Sequence, residues 1–240
     1  MPSVPPGEPA TAPAPPPDLD APLDLGERDV LLRIAWQTLV GHLTNHPIQD
    51  QDLAGYNLTP RLTGRRGCFV TLKRESETRG NQGEIEPSRP LFQQVIVFTR
   101  RAATHDPRFL PLSERDLGEL VVEISVIGRR QSIGTPGEIQ MDRHGVFLEK
   151  WGRRALFLPG QAAMKGWGPE RELEELCKVA ALPAGSWKQG ARLEVFTADV
   201  IAGPQPPPPV TAPVPEPSPA APSTGAGQTS PGRTPPPQGS

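Results

Sequence analysis

Two short clusters hold the residues whose types and spacing could do chemistry. The first is Arg79-Gly80-Asn81-Gln82-Gly83, an arginine followed by two glycines three residues apart that enclose two carboxamides. Glycine permits backbone conformations and close approaches that a Cβ forbids. The pentapeptide therefore reads as a loop that faces a ligand, or as a tight turn and nothing more. Asparagine offers donors and an acceptor but no thiolate. The second cluster is Asp106-Pro107-Arg108-Phe109. It reads either as a helix stop, with Phe109 buried and Arg108 paired to a carboxylate, or as the second arm of an anion clamp beside Arg79. Sequence alone does not establish that the two clusters meet.

Other chemistries find little footing. His42 and His46 have the i, i+4 spacing of helical metal ligands, but Asn45 and Pro47 put the second beyond the helix end, and no glutamate supports them as in a zinc-protease helix. Cys68 and Cys177 are the only cysteines and have no Cys-x-x-Cys partner, so a reduced, intracellular pair is expected rather than a thiolate metal site. Cys177 falls on an apolar helix face, where a thiol is packing. The chain contains no Walker-type loop, dinucleotide fingerprint or nucleophile elbow, so neither a cofactor nor a metal is expected. The Gly-x-x-Gly pattern is superficially that of the KH clamp, but that clamp joins helices and strands flank this one. With no aromatic-basic motif, nucleic acid is not an expected partner.

The elements that must position these clusters are legible from periodicity. Asp24 with Glu27 three residues on forms a capping box ahead of Leu31, Ala35, Leu39 and Leu43, an amphipathic helix ended by Gly41 and the Asn45-His46-Pro47 turn. Residues 48–65 read as loop. Cys68, Val70 and Leu72 alternate with Phe69, Thr71 and Lys73 in a strand, and 74–78 is a solvent turn before the glycine loop. Ser88 is placed to cap a helix whose buried row is Leu91, Val95, Phe98 and Ala102. Ser113 and Asp116 mark a short helix. Leu120 to Ile127 is the clearest strand, followed by a loop from Gly128 to Gly137. A hairpin spans 146–158, and a helix from Pro169 buries Leu173, Leu176, Cys177 and Ala180. Leu193 to Ile201 is the last strand. Irregular alternation without a βαβ repeat predicts an α+β fold, a mainly antiparallel sheet with flanking helices.

Of 33 prolines, nine lie in 2–22 and fourteen in 204–237. Those ends lack apolar clusters to offset the entropy of ordering, so 1–22 and 203–240 are expected to be disordered Pro-rich tails around one domain, 23–202. The formal charge is −2, yet Arg61 to Arg108 carries ten basic against five acidic residues, a surplus suited to an anionic small ligand or to a solvated surface. No apolar run approaches the ~18 residues of a membrane span, and no signal-peptide core precedes the domain, so a cytoplasmic location is expected.

Seven collinear motifs across 25–202 resemble the AMMECR domain family. They are Gly67-Cys68-Phe69-Val70-Thr71-Leu72, Arg79-Gly80-x-x-Gly83, Asp106-Pro107-Arg108-Phe109, Glu123-Ile124-Ser125-Val126, Leu156-Phe157-Leu158-Pro159, Gly166-Trp167 and Leu176-Cys177-x-x-Ala180-x-Leu182-Pro183. The resemblance implies two unequal lobes with the glycine motif near the cleft between them. It also implies service as the protein A component of AmmeMemoRadiSam systems, with a MEMO-like protein and a radical SAM enzyme as partners. The family signature is Arg-Gly-Cys-Ile-Gly, and Asn81-Gln82 replaces Cys-Ile here; Gly160 stands where many members have glutamine. The expectation is thus a non-catalytic accessory or substrate-binding component using Arg79, Gly80, Asn81, Gln82, Gly83 and Arg108. The alternative is an enzyme acting on an anionic small molecule or modified protein through the same residues.

Overall fold

The computed structural model describes Asp18 and residues 21–204, so most of the two Pro-rich segments, 1–22 and 203–240, lies outside the described residues. Helix α1, Leu25–Leu43, starts on the expected reciprocal box: Asp24 accepts from the Glu27 backbone N–H at 2.9 Å, and the Glu27 carboxylate accepts from Asp24 N–H at 3.1 Å. It runs through Gly41 and stops at Thr44, after which Asn45 takes a left-handed conformation. The region 48–65, expected to be loop, contains two single-turn helices, α2 (Asp50–Leu53) and α3 (Pro60–Thr63). Pro60 at the first position of α3 supplies a pre-set φ where no N–H is needed.

Six strands follow in an all-antiparallel sheet: β1 (Cys68–Arg74), β2 (Glu77–Glu84), β3 (Leu120–Ser132), β4 (Gly145–Lys150), β5 (Arg153–Phe157) and β6 (Arg192–Gly203), in the order β2-β1-β3-β6-β4-β5. Helix α4 is Leu91–Thr104, α5 is Gln161–Met164 and α6 is Pro169–Val179. The expected α+β architecture with flanking helices is the one observed.

Alternation decides which face each strand buries. Cys68, Val70 and Leu72 of β1 and Leu120, Val122, Ile124 and Val126 of β3 are buried on one face. There they meet Leu31, Ile34, Ala35, Trp36 and Leu39 of α1 and the expected α4 row Leu91, Val95, Phe98 and Ala102. A smaller core joins Val146, Leu148, Leu193 and Val195 to Leu173, Leu176 and Cys177 of α6. A third cluster of Ile85, Ile127, Phe147, Leu158 and Phe196 adds to these two unequal units on one continuous sheet.

Three local expectations are corrected. The pentapeptide 79–83 is strand, not loop: the chain reverses at Glu75, whose φ is 54°, and residues 77–84 then pair with β1. Strand β3 continues through Arg130 to Ser132 rather than ending at Ile127, because β6 offers it a partner past a bulge. Ser88 does not cap α4. Pro90 holds the cap position, and the Ser88 hydroxyl donates to Glu84 Oε1 at 2.7 Å.

In the first turn of α6, Glu172 is 2% exposed, and burial alone pushes its carboxyl up to about 7. An unfolded glutamate titrates near 4.3, so between about pH 4.3 and 7 the folded state holds more protons than the unfolded one. Stability therefore falls as pH rises through that window and levels off above it. Glu172→Gln is expected to raise stability by roughly 1–2 kcal/mol at pH 8 and by little at pH 4. Urea denaturation at the two pH values checks this, and an equal effect at both would refute it.

Candidate functional site

Strand β2 has almost no apolar residues, and its conformation is imposed by its neighbours. It lies at the sheet edge, with Asn81 opposite Thr71, Gly80 opposite Leu72 and Gly83 opposite Phe69. The register slips between Leu72 and Lys73, which pair with Gly80 and Thr78, so Arg79 is the extra residue of a bulge. Bulges break the ladder locally and re-aim the side chain at the break.

The two glycines serve close approach, not a turn, since neither has a positive φ. A Cβ on Gly80 would sit 1.9 Å from the Ala102 carbonyl oxygen of α4. A Cβ on Gly83 would sit 2.3 Å from the Cys68 carbonyl oxygen and 2.4 Å from the Phe69 ring. Gly80 lets α4 lie on the strand, and Gly83 makes room for the Phe69 side chain.

The structure does bring the second cluster to the first, through Asp106. Its carboxylate is buried and accepts the Asn81 backbone N–H at 2.9 Å, the outward-facing donor of an edge strand. The same carboxylate accepts Arg108 Nε at 2.9 Å, Arg108 Nη2 at 2.7 Å and the Arg108 backbone N–H at 3.2 Å. The Arg108 guanidinium bond leads the causes that hold the Asp106 carboxyl below the usual range, with the backbone donors of Asn81 and Arg108 adding to it. Arg108 is thus paired, as in the helix-stop reading, with its guanidinium also over the half-buried Phe109 ring at 5.1 Å. Arg79 is half-buried and has no hydrogen bond or ion pair among the described residues. Of the expected pair of arginines, Arg79 is the one whose charge is uncommitted.

Asn81, Thr71 and Glu123 stand side by side across three strands on one face of the sheet. Asn81 Nδ2 donates to Thr71 Oγ1 at 2.7 Å, and Glu123 accepts from Lys73 Nζ at 2.6 Å. Gln82 pairs with Val70 and so lies on the opposite face from Asn81. Cys68 pairs with Glu84 and also lies on that opposite face, fully buried, where burial raises its thiol far above the ordinary range. It cannot stand in for a cysteine at position 81.

Thr71, Lys73 and Glu123 escaped the sequence reading because their meeting depends on the β1–β3 pairing, which brings together residues 50 apart for the Lys73–Glu123 bond. Asp106 was visible as part of a motif, but nothing local marks it as the acceptor for an edge N–H. Among the described residues, no group of three His, Cys, Asp or Glu side chains is placed to hold a metal ion, and no helix is long and apolar enough to cross a membrane.

Asn81→Cys separates scaffold from chemistry at this position. The variant loses the bond to Thr71, a cost of about 0.5–1.5 kcal/mol, and keeps the backbone bond to Asp106. It is expected to fold with a melting temperature within a few degrees of the parent. Its new thiol should dominate maleimide labelling, because Cys68 and Cys177 are both 0% exposed. Fast labelling of the parent protein would contradict the burial of both native cysteines.

A protein of Methanopyrus kandleri is 32% identical over 199 residues, covering 78% of this chain and 94% of its own length. One from Thermofilum pendens is 30% identical over 190 residues, covering 72% of this chain and 87% of its own. Among solved structures, an uncharacterized protein of Pyrococcus horikoshii superposes with a TM-score of 0.67 at 30% identity, covering 74% of this chain and 92% of that one. The model of the AMMECR1 family matches residues 32–201. The chain belongs to the AMMECR1 family.

Proposed function

We propose that the chain is a non-catalytic accessory or substrate-binding component of a cytoplasmic modification system, working with a MEMO-like protein and a radical SAM enzyme. The binding surface is the edge strand at Arg79, Gly80, Asn81, Gln82 and Gly83, with Arg108 beside it. One observation carries the reading. The polar groups around position 81 are spent on scaffold bonds, Asn81 to Thr71 and Asp106 to both Asn81 and Arg108, while Arg79 is uncommitted. Such a surface holds a partner or an anionic group and offers no thiolate where the family signature has one.

Affinity capture from a native lysate with the full chain as bait tests it. A MEMO-like protein or a radical SAM enzyme should be recovered, and Arg79→Ala should reduce the yield. Recovery of neither, with Arg79→Ala indistinguishable from the parent, overturns the proposal. The enzymatic alternative is favoured by the same half-buried Arg79, which could stabilise an anionic transition state. Turnover of an anionic substrate that is lost in folded Arg79→Ala would select that reading instead.

A further inference from the structure

Helix α4 has a second face, turned away from the sheet, and it lines a groove of about 690 Å³. The opposite wall is the segment 48–58, which includes α2. Phe92, Ile96 and Val97 form the α4 side, and Ile48, Leu53 and Leu58 form the facing side. We propose that this groove is a binding site for an amphipathic anion, a small molecule with an apolar chain and a carboxylate or phosphate head. The site is separate from the β2 edge and does not depend on the function proposed there.

Three observations carry it. The volume is that of a small-molecule pocket, within the usual ~300–1,000 Å³. The walls carry an apolar stripe of Ile48, Leu53, Leu58, Phe92, Ile96 and Val97 that is continuous with the main core, flanked by Gln49, Asp50, Arg89, Gln93 and Arg100, so a chain laid along the stripe would lose part of its contact with water. The third observation is charge. Arg89, just before the cap residue Pro90, and Arg100, within α4, both line the groove. Neither makes an ion pair among the described residues. The Nε of Arg100 is buried without a hydrogen-bond partner, a state that native proteins rarely leave uncompensated. An anionic head in the groove would pair with the exposed part of the same Arg100 guanidinium, which is half-buried and lines the wall. Asp50, on the rim, is the one acidic side chain in the lining, and it is exposed. Arg89 and Arg100 are two of the ten basic residues between Arg61 and Arg108; Arg61, Lys73, Arg74 and Arg108 are paired to carboxylates elsewhere.

Isothermal titration of the full chain with sodium dodecanoate tests the proposal, with dodecanol and acetate as the tail-only and head-only probes. Dodecanoate should saturate at one equivalent, dodecanol should bind at least tenfold more weakly, and acetate should give no heat. Arg100→Gln should weaken dodecanoate at least tenfold. Val97→Glu, which places a carboxylate among the apolar walls, should abolish binding. Arg100→Gln should keep the parent melting temperature, both variants should keep the parent circular dichroism, and amide shifts on titration should be confined to 48–58 and 89–100. Vesicles of phosphatidylglycerol and of phosphatidylcholine separate the two sources of such an anion: Arg100-dependent capture by the former alone identifies a membrane lipid, and its absence a free acid. The proposal is overturned if neither dodecanoate nor phosphatidylglycerol binds, if dodecanol binds as tightly as dodecanoate, or if folded Arg100→Gln and Val97→Glu both leave binding unchanged. Binding of an acidic amphipathic peptide in place of dodecanoate would overturn it as well.

Discussion

Phe98→Ala is expected to lower stability by about 3–5 kcal/mol, read as a fall in the guanidinium midpoint at unchanged m-value. Phe98 is 2% exposed and lies in the middle of α4, on the face that packs against both α1 and the β1–β2 half of the sheet. Truncation removes the ring's transfer free energy and leaves a cavity. The core it shares with Leu31, Leu39, Val70 and Leu72 is built from regular elements that cannot close over it. Against a typical net stability of ~5–15 kcal/mol, such a loss leaves the variant marginal. A measured loss below ~1 kcal/mol would mean that this face of α4 is not the packed one.

The features that could be read from the sequence are those in which local pattern and tertiary context agree. Leu120, Val122, Ile124 and Val126 alternate strictly and are all at most 3% exposed. Leu91, Val95, Phe98 and Ala102 repeat at helical spacing and are all buried in the main core. The Asp24–Glu27 box is a short-range device and forms as written. Strand β2 was illegible because Glu77–Glu84 contains no apolar alternation at all; it is a strand because β1 offers it a ladder and Asp106 seals its outer edge. The end of β3 failed for the same reason, since Gly128 to Ser132 is polar and only β6 holds it extended. The candidate residues were found by their types, but their roles were not. Gly80 and Gly83 read as glycines of a ligand-facing loop or a tight turn, because the helix and the aromatic ring that require them cannot be seen in the local pattern.

Gly80→Ala tests whether that required contact organises the site. The added Cβ would lie 1.9 Å from the Ala102 carbonyl oxygen and 2.8 Å from its carbon, and both are helix backbone that no rotamer change can move. Real Cβ atoms do not approach so closely, so β2 and the C-terminal turn of α4 must separate by more than an ångström. Overpacking of this kind costs roughly 1–3 kcal/mol, and the upper end applies where the obstruction is backbone on both sides. The displacement should also stretch the bond from Asn81 N–H to Asp106, because Asp106 follows directly from that end of α4. Amide exchange at Asn81 should therefore accelerate in Gly80→Ala more than exchange at Val70 or Ile124 in the sheet interior. Gly118→Ala is the matched control: no atom lies within 4 Å of its added Cβ, its φ is not positive, and its effect should stay within about 0.5 kcal/mol. If Gly80→Ala is as harmless as Gly118→Ala, α4 does not rest on the strand, and the edge at Arg79 to Gly83 is not held by that contact. If it destabilises the domain without changing exchange at Asn81, the contact is real, and Asp106 holds the strand edge independently of it.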